Sequence, residues 1–434
     1  MARRRRYPPL DVFLNSRLVG RLNRQASGAI DFRYDADWLS WQHALPVSLS
    51  LPLREDNYVG APVIAVFDNL LPDSDAIRRH VAERVGADGI DAYSLLSAVG
   101  RDCVGALSFL PDGADPGPAG QVNGTPVSDG EIEKILKNLG RAPLGLGEDA
   151  DFRISIAGAQ EKTALLLWKG RWHKPTSTTA TTHIFKTPVG RLPNGIDLSF
   201  SVENEYLSLK LVAALGVPSA HAEIRTFGDM RVLVVERFDR RWTRDKRLLR
   251  LPQEDMCQAL SYPPSLKYES DGGPGIPQIL AILQGSDQPE RDRLKFLRAN
   301  IVFWLIGATD GHAKNFSISL SPGGRFRLTP LYDVLSAQPS ADGGQIRRNQ
   351  MKLAMAVGGN RHYAVDRIAP RHFLQTAART GVPKRSADRI IEDLRDTAEA
   401  ATQAVIQSLP AGFPPNVAGS IANGLRTRLR LLAP

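Results

Sequence analysis

The stretch Ile306-Gly307-Ala308-Thr309-Asp310-Gly311-His312-Ala313-Lys314-Asn315 sets an Asp and, five residues on, an Asn in one short segment; Leu331-Tyr332-Asp333-Val334 adds a second Asp. Phosphoryl transfer uses such a set. One carboxylate accepts or orients the proton of the attacking hydroxyl, while an amide oxygen and a second carboxylate hold Mg²⁺ on the nucleotide phosphates. The Asp-to-Asn interval is that of the protein-kinase catalytic loop, whose metal-holding Asp also follows later in the chain. Asp and Asn are equally common as turn formers, so this spacing by itself leaves an ordinary loop open.

Three further segments bear on the same chemistry. Lys186 ends a strand candidate, after apolar Ile184 and Phe185 and before Pro188. Kinases place a phosphate-pairing Lys on such a strand and hold it with an acid from the next helix, here Glu203 or Glu205, of which Glu205 is preferred. The plain alternative is a strand-edge Lys reaching water. Ser155-Ile156-Ala157-Gly158-Ala159-Gln160-Glu161-Lys162-Thr163 is a small-residue loop whose backbone N–H groups could cradle phosphate. It is not a Walker A loop, because Glu161 stands where a glycine should precede Lys-Thr, and a tight turn explains it equally well. Val235-Glu236-Arg237-Phe238-Asp239-Arg240 is a connector that can offer backbone groups to an adenine edge, or form a solvated turn. Together these clues run in kinase order: small-residue loop, Lys strand, acidic helix, hinge, Asp-x₄-Asn, metal Asp.

The elements that must position these groups are legible. Strands over 12–14 and 18–22 flank Asn15-Ser16 as a hairpin, and Asp73 or Ser74 caps a helix running to Val85. A Gly-, Pro- and Asp-rich tract over 111–125 reads as a boundary or surface excursion. Strands are expected over 163–168, 172–173, 182–186, 222–227 and 231–236, with one helix over 203–215 stopped by Gly216. From about residue 250 helices dominate, over 292–306, 372–380 and 386–409, with short strands at 316–320 and 325–328. The second two-thirds of the chain thus divides into a sheet-rich lobe and a helix-rich lobe with a cleft between them.

The chain has 434 residues, 42% apolar and 23% charged, which suits a folded protein of two to four structural units. Two cysteines, Cys103 and Cys257, make neither a disulfide framework nor a metal cluster and read as reduced thiols of a cytoplasmic protein. No apolar run reaches the ~18–20 residues that span a bilayer, so no membrane association is expected. Arg3 to Arg6 precede Pro8, Pro9 and Asp11 rather than an apolar run, which argues against export and leaves a frayed terminus or a phosphate-touching arm. The net charge is +9 and is unevenly spread. Residues 341–434 carry 14 Lys plus Arg against 7 Asp plus Glu, whereas residues 1–340 carry 41 against 39. The excess therefore marks the C-terminal lobe, as a nucleic-acid-facing surface or a solvated basic helix face.

On these and further segments the chain closely resembles the HipA toxins, serine/threonine kinases of bacterial HipBA toxin–antitoxin modules. The further segments are Asp68-Asn69-Leu70-Leu71-Pro72-Asp73-Ser74, Gly100-Arg101-Asp102-Cys103-Val104-Gly105-Ala106, Leu251-Pro252-Gln253-Glu254-Asp255 and Lys267-Tyr268-Glu269-Ser270-Asp271-Gly272-Gly273-Pro274-Gly275. The resemblance implies an α+β, bilobal protein-kinase-like fold with an N-terminal α/β subdomain (1–112), a connecting segment (113–149), a kinase small lobe (150–240) and a mostly helical large lobe (241–434). It implies Asp310 as catalytic base, Asn315 and Asp333 as Mg²⁺ ligands, and Lys186 on the ATP phosphates. Ala157, Gly158, Ala159, Gln160, Glu161 and Lys162 would form the phosphate loop, and Glu236, Arg237 and Phe238 the adenine hinge. His312, Ala313, Lys314 and Tyr332 would line the nucleotide site, and Ser155 would be the residue whose autophosphorylation switches the kinase off. Thr309 stands where ordinary protein kinases carry Arg, and Val334-Leu335 where they carry Phe-Gly, so activation-loop control through that Arg is not expected. The implied partners are a HipB-like antitoxin, operator DNA through the antitoxin complex, and a protein substrate, glutamyl-tRNA synthetase. Two other readings stand beside this one: a bilobal kinase of a small molecule or lipid head group, and a catalytically idle co-repressor. The intact Lys186, Asp310, Asn315 and Asp333 count against the second of these.

Overall fold

The computed structural model describes residues 7–146, 154–158 and 160–432. The arginines Arg3 to Arg6 and the loop residue Ala159 lie outside the described residues. In the N-terminal unit, Asn15 and Ser16 both take positive φ and fold β1 (Leu10–Leu14) back onto β2 (Arg17–Arg24). With β3 (Ile30–Tyr34), β4 (Tyr58–Val59) and β5 (Leu107–Pro111) they make an antiparallel sheet in the order β4-β3-β2-β1-β5. Apolar residues such as Leu10, Val12, Leu22, Phe32 and Phe109 share one core with helices α1 (Ala61–Asp68), α2 (Asp75–Val85) and α3 (Ala92–Val99). Helix α2 is capped by Ser74, whose hydroxyl accepts from the Ile77 N–H, and ends at left-handed Gly86. Asp73, the other cap candidate, is thereby free for the contacts described below.

The small lobe is a six-stranded sheet. It comprises β6 (Gly124–Pro126), β7 (Lys162–Trp168), β8 (Arg171–Pro175), β9 (His183–Lys186), β10 (Ala222–Phe227) and β11 (Met230–Glu236), in the order β10-β11-β9-β7-β8-β6. Two-residue alternation sorts its faces. Leu165, Phe185, Val232 and Val234 pack on Ile132 and Leu136 of helix α4 (Asp129–Lys137). Ala164, Leu233 and Val235 face the other way and join the main core with helix α5 (Ser201–Ala214). The sheet therefore carries a helix on each face, not the single helix expected. The described part of the 113–149 segment supplies β6 and α4, so it is built into the lobe. The Gly and Pro density over 111–125 resembles a boundary or surface excursion, whereas the amphipathic spacing of Ile132 and Leu136 that follows builds a helix of the lobe.

The large lobe contains α6 (Ile276–Leu283), α7 (Pro289–Ile306), α8 (Pro370–Arg379), α9 (Lys384–Gln407) and α10 (Pro415–Leu429). It also holds a three-stranded sheet, β12 (Gln253–Asp255), β13 (Ser317–Ser321) and β14 (Arg325–Leu328). Helix α7 is apolar around its last turns, Ile301 to Ile306 all buried, so it forms the lobe's axis and delivers the Asp310 loop to the cleft. Among the described residues, no helix is long and apolar enough to cross a membrane.

Candidate active site

Lys186 is the last residue of β9, in register with Lys162 on β7 and Leu233 on β11. The pleat that sends Phe185 into the α4 core turns Lys186 to the opposite face. Its ammonium donates to Glu205 Oε1 on α5 at 2.6 Å and to Asp333 Oδ1 at 2.7 Å. Glu203, the other acid considered, pairs instead with Arg231 at 2.6 Å. Lys162 stands beside Lys186 on the same face and donates to the Ala157 carbonyl of the small-residue loop. Two neighbouring ammonium groups repel; the carboxylates of Asp333 and Glu205 offset that.

The charge states follow from burial and neighbours. Burial disfavours the Lys186 cation, but Asp333 and Glu205 outweigh it and raise its pKa above that of an ordinary lysine. For Lys162 burial wins: against the pull of Asp333, and helped by Lys186, it brings the pKa down to about 8. Burial pushes Glu205 up to about 6 against the attraction of Lys186. Burial also opposes ionisation of Asp333, yet Lys186 and Lys162 hold its carboxyl below the usual carboxylate range. At neutral pH the cleft thus presents an ionised Asp333 beside a charged Lys186. The Lys186 side chain is 8% exposed and that of Asp333 39%, so the carboxylate, not the amine, opens to the cleft.

Asp333 sits at φ +58°, a left-handed conformation uncommon for non-glycine residues and found where a site over-determines the backbone. Asn315 holds that turn: its Nδ2 donates to the Asp333 carbonyl at 2.9 Å, which leaves the amide oxygen as an acceptor. One ionised carboxylate and one amide oxygen fit Mg²⁺, which keeps waters and takes phosphate oxygens for the rest of its shell. Among the described residues, no group of three His, Cys, Asp or Glu could hold a metal alone.

The Asp310 loop is tight. Its carbonyl accepts from the His312 N–H at 2.8 Å, and a Cβ at Gly311 would lie 2.4 Å from the Phe303 ring, so only glycine fits between the two. Asp310 is open to the cleft. Its carboxyl is pushed up by desolvation, against a hydrogen bond from Tyr268, whose hydroxyl donates to Oδ1 at 2.6 Å. The buried His312 ring packs edge-on against Tyr268 at 4.9 Å, its Nδ1 has no partner among the described residues, and burial brings its pKa down to about 3. Phe238 of the expected hinge and Tyr332 face each other with ring centroids 5.9 Å apart, and the Tyr332 hydroxyl donates to the Lys314 carbonyl.

Several expected site residues turn elsewhere. The Lys314 side chain leaves the cleft for Asp255 (2.9 Å) and the Asn69 amide oxygen (2.8 Å). The Arg237 guanidinium is buried against Asp239, Asp102, Thr181 and the Cys103 carbonyl. The backbone N–H groups of Glu236 and Arg237 are taken by the His221 and Thr182 carbonyls, and the Glu236 side chain is exposed beside His221. Gln160 reaches the Thr187 carbonyl at 2.7 Å, and Glu161 is exposed. Ser155 is fully buried; its hydroxyl donates to Leu70 O at 2.8 Å and its N–H to Asp102 O at 2.9 Å. Residues not singled out for a role complete the cleft. Asp73 accepts from Lys267 at 2.8 Å and lies 3.9 Å from Lys314, while Tyr268 reaches Asp310. Local spacing carries no signal of a contact between residues 194 or 42 positions apart.

A sheet-rich lobe with a Lys–Glu pair, set over a helical lobe bearing Asp-x₄-Asn and a second Asp, defines a bilobal protein-kinase-like molecule. The chain belongs to the HipA family: the HipA-like C-terminal domain matches residues 154–402 and the HipA N-terminal domain matches residues 10–110. It is a kinase of the HipA type. The protein Y4mE of Sinorhizobium fredii is 37% identical over 353 residues, 80% of each chain. The serine/threonine-protein kinase toxin HipA of Shewanella oneidensis is 29% identical over 362 residues, 80% of this chain and 78% of that one. The fold matches HipA in the Shewanella oneidensis MR-1 complex of HipA, HipB and operator DNA, with TM-score 0.81 and 24% identity over 97% of this chain and 96% of that chain.

Proposed function

We propose that this chain is an ATP- and Mg²⁺-dependent serine/threonine protein kinase that acts as the toxin of a HipBA-type module. The observation that carries the reading is Lys186 donating at once to Glu205 and Asp333, with Asn315 fastening the Asp333 turn. Lys186 would meet the ATP phosphates, and Asn315 and Asp333 would hold Mg²⁺, which when bound neutralises charge on the transferred phosphoryl group. Asp310 would take the proton of the acceptor hydroxyl. Lys162 and the backbone of Ala157 and Gly158 would close over the phosphates, while Phe238 and Tyr332 would border the adenine ring. The Phe238 N–H is the hinge donor left for it, because those of Glu236 and Arg237 are already used. His312 would line the site, with Lys314 tying the Asp310 loop to the N-terminal unit.

Ser155 would be the self-inactivating phosphorylation site. Buried against Leu70, it must swing out to be phosphorylated, and a phosphate of about −1.5 to −2 charge could not return beside that carbonyl. The family reading also gives a HipB-like antitoxin, operator DNA bound through it along the basic C-terminal lobe, a cytoplasmic location, and arrest of translation and growth through phosphorylation of glutamyl-tRNA synthetase. The test is phosphoproteomics after induced expression, with an Asp310→Asn strain as control. The expected result is new phosphate on glutamyl-tRNA synthetase and on Ser155 in the wild-type strain only. Equal phosphorylation in both strains would refute the reading.

A further inference from the structure

The segment from Lys267 to Gly275 runs against the Asp310 loop. A Cβ at Gly273 would lie 1.9 Å from the Leu266 carbonyl, and the Gly273 N–H donates to the Tyr268 carbonyl at 2.9 Å. The segment therefore folds back on itself only with glycine at that point, and the fold fixes the direction of Tyr268. Three contacts hold the result: the Tyr268 hydroxyl on Asp310 Oδ1, its ring edge-on against His312, and the Lys267 carbonyl accepting from the Ala313 N–H at 3.3 Å. The Asp310 loop and this segment are thus pinned together on both sides of the carboxylate.

From this geometry we propose that Tyr268 is a positioning residue for phosphoryl transfer: its hydroxyl fixes one oxygen of Asp310 so that the other faces the acceptor hydroxyl. The inference rests on the assignment of Asp310 as base. A carboxylate at the mouth of a cleft has free rotation about its last bond, and a misaimed base loses much of its effect. The hydroxyl donates into Oδ1, stabilises the ionised form and leaves Oδ2 as the acceptor. Charged groups around Asp310 include Asp333 and Asp73, which oppose its ionisation, and Lys267, which favours it while held by Asp73 at 2.8 Å. Tyr268 is the neutral donor among them, so its removal changes aim and acidity without adding or removing a formal charge.

The test is peptide and self-phosphorylation kinetics of Tyr268→Phe beside Asp310→Asn, with nucleotide affinity measured in parallel to show a folded cleft. Tyr268→Phe should lower kcat roughly ten- to hundredfold, the worth of one hydrogen bond to a charged group. KM for ATP should not move, and the acid limb of the pH–rate profile should shift to higher pH. Tyr268→His, which keeps a donor, should recover part of kcat. A wild-type kcat and pH profile in Tyr268→Phe, with Asp310→Asn inactive, overturns this inference and leaves the base assignment standing; an active Asp310→Asn overturns the base assignment itself. Should the Phe variant misfold, 3-fluorotyrosine at position 268 retains the ring and strengthens the donor. The acid limb should then move to lower pH, and an unmoved limb overturns the proposal.

Discussion

Replacing Asp102 with Ala removes the centre of a buried ionic cluster that joins the N-terminal unit to the small lobe. Its carboxylate accepts from Arg240 at 2.9 Å, Arg250 at 3.2 Å and Arg237 at 3.3 Å, and from the Thr181 N–H and hydroxyl at 3.0 and 2.7 Å. Asp239 is the other carboxylate, so three guanidinium groups face two acids. After the substitution they face one, and among the described residues the Arg250 guanidinium keeps the Arg101 and Thr178 carbonyls. At an effective dielectric of about 20, one such attraction at about 4 Å is about 4 kcal/mol. Desolvation of the acid offsets part of the sum, and loss of one partner from a buried pair costs about 3–5 kcal/mol. Burial opposes ionisation of Asp102, but the three arginines overcome it and hold the carboxyl below its usual range. Its stabilisation is therefore present in full above pH ~4 and is lost as pH falls through the folded-state value. Urea unfolding followed by tryptophan fluorescence, with trypsin digestion to see whether the N-terminal unit is released first, measures the effect. Asp102→Ala should lose about 3–5 kcal/mol from its first transition, and Asp102→Asn, which keeps the shape without the charge, should also lose more than about 1 kcal/mol. If both variants stay within about 1 kcal/mol of the wild type, the cluster does not hold the two units together.

Two other outcomes follow from the same structure. Glu254 is 1% exposed, with Oε1 accepting from the Leu49 N–H at 2.8 Å, and burial pushes its carboxyl up to about 8. The folded chain then binds this proton more tightly than the unfolded one, so stability declines as pH rises from about 4 to about 8; Glu254→Gln should flatten that decline and gain about 2–4 kcal/mol over the wild type at pH 8.5, read from unfolding midpoints at pH 5 and 8.5. Lys186→Met removes a doubly paired ammonium and should lower kcat/KM for ATP roughly ten- to hundredfold in a coupled ADP-release assay; a change under threefold would separate Lys186 from the phosphates.

Much of the frame was legible from local pattern. Phe185 and Lys186 sit on opposite faces of a strand, as a two-residue period requires, and Gly216 and Gly307 lie just past the helices they end. The Asp310-to-Asn315 interval and the later Asp333 converge in space because a single hairpin, β13 and β14, returns the chain beside the loop. What local pattern could not carry was direction and distance. Lys314 looks from sequence like a cleft lysine, but its side chain turns to Asn69 and Asp255 because the N-terminal unit packs against the back of the Asp310 loop. Arg237 looks like a hinge residue, but the Asp102 carboxylate, 135 positions away, draws its guanidinium inside. Tyr268 lay in a glycine-rich segment whose tight fold only the three-dimensional contacts explain.

We propose that Asp310, Lys186, Asn315 and Asp333 form one phosphoryl-transfer site. Transfer of labelled γ-phosphate from ATP to protein, measured with Mg²⁺ for the wild type and Asp310→Asn at matched nucleotide occupancy, addresses it most directly. Loss of the base should slow transfer about 10²–10⁴-fold while ATP still binds. An Asp310→Asn protein that labels itself and its substrate at the wild-type rate would contradict the assignment of Asp310 to this site.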